Sequence, residues 1–284
     1  MDIDSRYASV NGLTMHYVTA GEGPPVVLLH GFPDTHAIWR RQIPALAAAG
    51  FRVIAPDLRG YGKTDMPTEV SAYAMEFLAD DVLRLMDALD IDSAVVVGHD
   101  WGAIIGWHLA MHAPGRVNRF AALSVGHPEA IVKAGIGQRL RFWYMGLFMM
   151  PVLAEQVIKA GNWAALKRLS RSREQQAIWR ASLQPLGRLT AALNYYRANL
   201  KPSMSRRWKP VDVPVLGIWS EHDPALGEKQ MLDSAEHCRG GFRYERIDGV
   251  GHWMQLAGAD RLNALLIDFV TTSAAQRRIA TASV

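Results

Sequence analysis

Three residues carry most of the chemistry this chain can do: Asp100, Asp223 and His252. Asp100 sits in Gly98-His99-Asp100-Trp101-Gly102, directly after the apolar run Val95-Val96-Val97. A strand that enters Gly-x-Asp-x-Gly and leaves as a helix makes a sharp turn, which lifts the central side chain above the sheet edge. Serine usually stands there. A carboxylate suits attack on an amide or ester poorly, because the anhydride formed would be hard to control. It suits displacement at a saturated carbon, which gives an alkyl-enzyme ester. The plainer alternative is an aspartate capping the helix that starts at Trp101.

Asp223 lies in Glu221-His222-Asp223-Pro224, just past the apolar run Val215–Trp219, and His252 lies in Gly251-His252-Trp253, just past the last strand-like run. Singly, they read as an Asx-turn residue before Pro224 and a satisfied loop histidine. Together with Asp100 they fall in the order nucleophile, acid, histidine, each at a strand end. That order makes His252 the base and Asp223 its orienting acid. His30-Gly31-Phe32-Pro33 follows the first buried run, where the loop supplies one oxyanion-hole amide and the residue after the nucleophile the other. These are the backbone N–H groups of Phe32 and Trp101.

The elements that must position these residues are legible as alternation. Thr14–Thr19 reads as a strand with alternating side chains. Val26–Leu29, Val53–Ala55, Ala94–Val97, Phe120–Leu123, Val215–Trp219 and Phe242–Ile247 read as strands of a parallel sheet. Helical spacing marks Ala72–Leu89, Trp101–Met111, Leu226–His237 and Leu262–Val270. The pattern predicts an α/β, doubly wound, mostly parallel sheet. It fails between Pro128 and Pro210, a helical stretch rich in Trp, Tyr, Met and Arg. The reading is a helical cap (128–210) inserted between two parts of one core (1–127 and 211–284), over the strand ends where such sheets bind ligands. Trp143, Tyr144, Phe148, Met149, Trp179 and Tyr195 predict an apolar pocket. Phe142–Leu153 reads as a packed helix or the wall of that pocket.

Composition narrows the class. The chain has 284 residues, 49% hydrophobic and 20% charged, with 31 Lys+Arg against 27 Asp+Glu. The net charge of +4 is too small a bias to argue for nucleic acid or a membrane surface. Its lone cysteine, Cys238, excludes an intrachain disulfide and reads as an inert helix-end thiol. Residues 1–10 lack the apolar segment of a signal peptide, and the cytoplasm is the compartment expected. No metal-ligand spacing, phosphate loop or dinucleotide fingerprint is present, so no metal or other cofactor is expected. His30 and His99 read as structural, the arginines 168, 171, 173, 206 and 207 with Lys209 as solvated faces, and residues after 271 as a fraying tail. A homodimer stays open.

The segments His30-Gly-Phe-Pro-Asp-Thr35, Asp57-Leu-Arg-Gly-Tyr-Gly62, Gly98-His-Asp-Trp-Gly102, Asp223 and Gly251-His252-Trp253 together resemble the epoxide hydrolases of the α/β-hydrolase fold, and more loosely the haloalkane dehalogenases. The resemblance implies that Asp100 attacks an epoxide carbon and that His252 activates water to release a diol from a small apolar epoxide. It also implies two cap tyrosines that protonate the departing oxygen. Leu193-Asn194-Tyr195-Tyr196-Arg197 resembles the segment carrying one of them, at Tyr196. The second segment places Leu147 where the family has tyrosine, with Tyr144 one turn earlier on the same helical face. Phe32, Trp101, Tyr144, Tyr196 and Trp253 are then the expected substrate contacts. A haloalkane dehalogenase would keep Asp100 and His252 and use the Trp101 indole for halide, but Phe32 stands where an amide donor is usual. A fluoroacetate-type enzyme would need arginines for the substrate carboxylate, and the helix Trp101–Met111 has none. A non-catalytic binding module would not need an intact triad.

Overall fold

The computed structural model describes residues 2–170, 172–205 and 208–272. Arg171, Arg206, Arg207 and the tail after 272 lie outside them. Eight strands form one sheet: β1 (Asp4–Val10), β2 (Leu13–Ala20), β3 (Pro25–Leu29), β4 (Arg52–Pro56), β5 (Ala94–His99), β6 (Val117–Leu123), β7 (Val215–His222) and β8 (Phe242–Gly251). Their spatial order is β1-β2-β4-β3-β5-β6-β7-β8. β2 pairs antiparallel with β1 and β4, and the pairs from β4 to β8 are parallel. This is the mostly parallel sheet that the alternation predicted, in the α/β-hydrolase arrangement that the resemblance implied.

The helices are α1 (Gln42–Ala48), α2 (Met75–Ala88), α3 (Trp101–His112), α4 (Pro128–Lys133), α5 (Ile136–Arg141), α6 (Trp143–Phe148), α7 (Leu153–Leu169), α8 (Arg173–Leu183), α9 (Arg188–Ser205), α10 (Glu228–Leu232), α11 (Met254–Ala257) and α12 (Ala259–Thr271). β5 is buried along its whole length because both faces are covered. One face carries Leu29, Val96, Trp107 and Phe120. The other carries Leu28, Val97, Leu216 and Phe269. α3 is apolar nearly all round, and it lies buried beneath the site.

The structure differs from the sequence reading in several elements. β1 was missed because its outward residues are polar and exposed, as an edge strand's are. α1 was missed because seven residues give too short a periodic signal. The helix expected over Ala72–Leu89 begins at Met75, after a turn of 3₁₀ helix, since Ala74 is extended. The helix expected over Leu226–His237 is α10 followed by a 3₁₀ turn.

α4 to α9 all lie between β6 and β7. Phe142–Leu153 is not one packed helix: it holds α6 and then a turn in which Val152 has φ of 69°. Trp143 points outward, 74% exposed, and lines no pocket. α7 breaks at Ala160–Trp163. α9 is tied to the core by Tyr195, whose hydroxyl donates to Arg59 O (2.8 Å), and by Asn199, which donates to Tyr73 O and accepts from Met75 N (2.8 Å each). Tyr195 is thereby committed to the core and not to a pocket. Each such bond contributes roughly 1 kcal/mol.

Candidate active site

Asp100 occupies the turn between β5 and α3 at φ 52°, ψ −120°. A non-glycine residue pays about 1–3 kcal/mol for such a conformation, and the surrounding packing must hold it there. Gly102 is part of that packing, because a Cβ on it would lie 2.0 Å from Leu29 O. Gly31 is another, since its Cβ would lie 2.3 Å from Asp100 Oδ1. Asp100 makes no helix-capping bond. Its Oδ1 instead accepts from Phe32 N at 2.8 Å, with the Trp101 N–H next to it in the chain. Burial pushes the Asp100 carboxyl up, while His252 and the two N–H groups pull the other way.

His252 Nδ1–H donates to Asp223 Oδ2 at 2.7 Å, and its Nε2 lies 3.9 Å from Asp100 Oδ2. Asp223 Oδ1 accepts from Ala225 N and Leu226 N, both at 2.9 Å. The Asx-turn role and the orienting role therefore coexist, one on each oxygen. Burial would raise Asp223, but the charge and hydrogen bond of His252 hold it below its ordinary value. Burial lowers His252, and the Asp223 charge and hydrogen bond override that, followed by Asp100 and Asp34, so its value is pushed up to about 9. His99 is fully buried, donates from Nε2 to His252 O (3.0 Å) and rests its ring 4.5 Å from that of His252. Burial keeps it well below its ordinary value, hence neutral. His30 receives Leu58 N on Nε2 (3.0 Å) and bridges to Gly31 O (3.1 Å), bracing the Phe32 loop.

Asp34 is the residue that the sequence did not flag. Its Oδ1 accepts from Trp179 Nε1 (2.6 Å) and Gln175 Nε2 (3.0 Å) on α8, and its Oδ2 from Trp253 Nε1 (2.9 Å) beside His252. Burial raises it to about 7 against those donors. It reads as an ordinary loop aspartate in the sequence because its three donors come from positions far along the chain. Trp253, expected at the substrate, spends its indole N–H on this carboxylate.

The Asp100 charge is felt by the phenols of Tyr196 and Tyr144, and by that of Tyr61. Tyr196, on α9, meets the rings of Trp101 (5.0 Å), Phe148 (4.9 Å) and Phe32 (5.9 Å). Burial and then Asp100 push its hydroxyl well above the ordinary range, against a side-chain hydrogen bond from Trp101. Tyr144, on α6, packs against Phe148 (5.3 Å) and is raised by burial, then by Asp100 and Asp223. Leu147 is half-buried against the same core. Phe148 thus joins both phenols to the oxyanion loop.

Among the described residues, His16, His36 and Asp57 have the makeup of a metal site. Both oxygens of Asp57 already accept N–H groups, from His36 Nδ1 and N and from His16 Nδ1 and Lys63 N, at 2.7–3.0 Å. Burial would raise Asp57, but the two histidines hold it far below the carboxylate range. The cluster is fully accounted for by hydrogen bonding. Cys238 is buried just after the 3₁₀ turn, its thiol pushed up to about 12. No helix among the described residues is long and apolar enough to cross a membrane.

Comparison with known proteins follows this geometry. The α/β-hydrolase fold family matches residues 24–259. Epoxide hydrolase A of Mycobacterium tuberculosis is 33% identical, covering 94% of this chain and 97% of its own. The AB hydrolase superfamily protein YfhM of Bacillus subtilis is 32% identical, covering 94% and 98%. Among solved structures, epoxide hydrolase VrEH1 from Vigna radiata superposes with a TM-score of 0.82 at 31% identity, covering 94% of this chain and 97% of its own. The Bacillus megaterium epoxide hydrolase bound to an inhibitor gives 0.87 at 25% identity, covering 94% and 100%. By sequence and by fold, this chain belongs to the α/β-hydrolase family and is epoxide hydrolase-like within it.

Proposed function

We propose that this hydrolase opens a small apolar epoxide to a vicinal diol through an ester on Asp100. The observation that carries the reading is the division of labour within one carboxylate. Oδ1 is held by the Phe32 backbone N–H, while Oδ2 faces His252 without a direct hydrogen bond. Oδ2 attacks a ring carbon, the carbon–oxygen bond breaks, and the departing oxygen takes a proton from Tyr196, with Tyr144 as the second donor. A phenol suits this role because it is a neutral donor near pH 7.

Water then attacks Asp100 Cγ and gives its proton to His252 Nε2. Negative charge collects on Oδ1, which already accepts from the Phe32 N–H, with the Trp101 N–H as the second donor to the oxyanion. Collapse of this species breaks the bond from Cγ to the alkyl oxygen, which leaves with the proton from His252, and the proton remaining on the new Asp100 carboxyl returns to the Tyr196 phenolate, restoring both groups. Phe32, Trp101, Phe148 and the two phenols form the apolar wall, and residues 128–210 act as the cap that excludes bulk water.

Phe32 offers no side-chain donor to a halide, which favours this reading over dehalogenation. A panel of epoxides and haloalkanes, with diol and free halide read in parallel and Asp100→Ala as the blank, tests it. Diol without halide is expected. Halide release would transfer the site to dehalogenation, and turnover by Asp100→Ala would remove the nucleophile assignment.

A further inference from the structure

We propose that Arg197 and Glu155 form a positioning brace that sets the spacing of the two cap phenols. This rests on the reading above, in which Tyr196 and Tyr144 serve the departing oxygen. Arg197 directly follows Tyr196 on α9. Its Nε donates to Phe148 O (3.0 Å), the last carbonyl of α6. Its Nη1 and Nη2 fork onto Glu155 Oε1 (2.9 Å) and Oε2 (3.1 Å) on α7, and Nη1 also reaches Asn194 Oδ1 (3.3 Å). Thr190 Oγ donates to Glu155 Oε1 (3.0 Å), so α9 grips the carboxylate twice. The Arg197 and Glu155 side chains are only 6% and 13% exposed.

The two phenols are held very differently. α9 is fixed to the core through Tyr195 and Asn199. α6 is six residues long, has no side-chain cap, exposes Trp143 on its outer side and runs into the turn at Val152. A helix of that length does not hold itself in place. Arg197 reaches from the fixed helix to the end of the short one, four residues beyond Tyr144, and to the start of α7 beyond it. The planar guanidinium serves three acceptors in fixed directions, which a lysine ammonium on a flexible stem cannot do. Arg197 touches neither nucleophile nor base, so it acts through the geometry of the phenols.

The brace therefore governs ring opening and leaves ester hydrolysis alone. The test is single-turnover kinetics on Arg197→Lys and Glu155→Asp, following ester formation and ester breakdown separately, with folding checked by near-ultraviolet circular dichroism. Glu155→Asp keeps both charges and withdraws the carboxylate by one methylene, so a folded variant is available even where Arg197→Lys does not fold. Ester formation should slow about tenfold or more, the scale of the acid catalysis at stake, with breakdown within about twofold of wild type. Folded variants in which both steps slow together, or neither does, would overturn the brace. Tyr196→Phe, run alongside, separates the two ideas: if it forms ester at the wild-type rate the phenol reading itself fails, whereas a slow Tyr196→Phe beside fast brace variants removes the brace alone.

Discussion

His252 holds Asp223 at 2.7 Å through Nδ1 but stops 3.9 Å short of Asp100 Oδ2 with Nε2. On the proposed mechanism Asp100 needs no proton transfer to attack, so His252 would be dispensable for the first step and required for the second. His252→Gln is expected to form the alkyl-enzyme and stall, with turnover falling by about a hundredfold or more. Mass spectrometry should find the peptide containing Asp100 heavier by the mass of the epoxide. An unmodified peptide from the stalled variant would sink the ester mechanism.

The same geometry decides where oxygen goes. If Oδ2 becomes the ester oxygen and water attacks Cγ, the oxygen delivered to the first diol comes from Asp100. A single turnover in heavy-oxygen water, with enzyme in excess, should leave the label in Asp100 and not in the product. Label in the first diol would mean that water attacks the epoxide directly and that Asp100 acts as a base.

The buried charges predict how rate and stability follow pH. His252 is held up to about 9 partly by the Asp100 charge, and alkylation removes that charge. Ester breakdown should therefore rise with pH through a midpoint below about 9. Asp34→Asn removes another of the charges raising His252, and should move that midpoint lower still. An identical profile in the variant would count against the coupling. For stability, the raised His252 contributes in full below its unfolded value of 6.5 and loses that contribution as pH rises through about 9. Asp34, raised from 3.8 to about 7, likewise loses its contribution as pH rises across that interval. Asp57 and Asp223 are depressed, so theirs is lost in acid. Burial also holds His30 and His99 below 6.5, so their contribution is lost as pH falls below that value, and thermal unfolding midpoints should peak near neutral pH and fall on both sides. A peak above pH 9 would contradict these assignments.

The core strands and the meeting of Asp100, Asp223 and His252 at their ends were legible because each depends on a local pattern: an apolar run bounded by glycine or proline, then a chemically capable residue at its end. β1 and α1 were not, since an exposed edge strand and a seven-residue helix leave little periodic trace. The insertion was legible as helical but not in its contacts. Trp143 and Phe148 look equivalent in sequence, yet one faces solvent and the other touches both phenols, because a short helix has two sides and only packing selects between them. Asp34 is the sharper case. Its partners Trp179, Gln175 and Trp253 lie far away in sequence, and no single-sequence pattern connects them.

The departure at Leu147 gives the remaining prediction. Tyr196 touches Trp101 and Phe32 by its ring and is electrostatically coupled to Asp100, so Tyr196→Phe should slow ester formation about tenfold or more while leaving ester breakdown near wild type. Tyr144 feels Asp100 and Asp223 from one helical turn before Leu147. If its hydroxyl is the second donor, Tyr144→Phe should slow the same step, and adding Leu147→Tyr should restore part of the rate, because positions three apart on a helix share a face. The double variant matters more than the single one. Loss without rescue would make Tyr144 a packing residue whose removal disturbs Phe148. No loss in Tyr144→Phe would leave ring opening to Tyr196, packed edge-on against the Trp101 ring, as a one-phenol site.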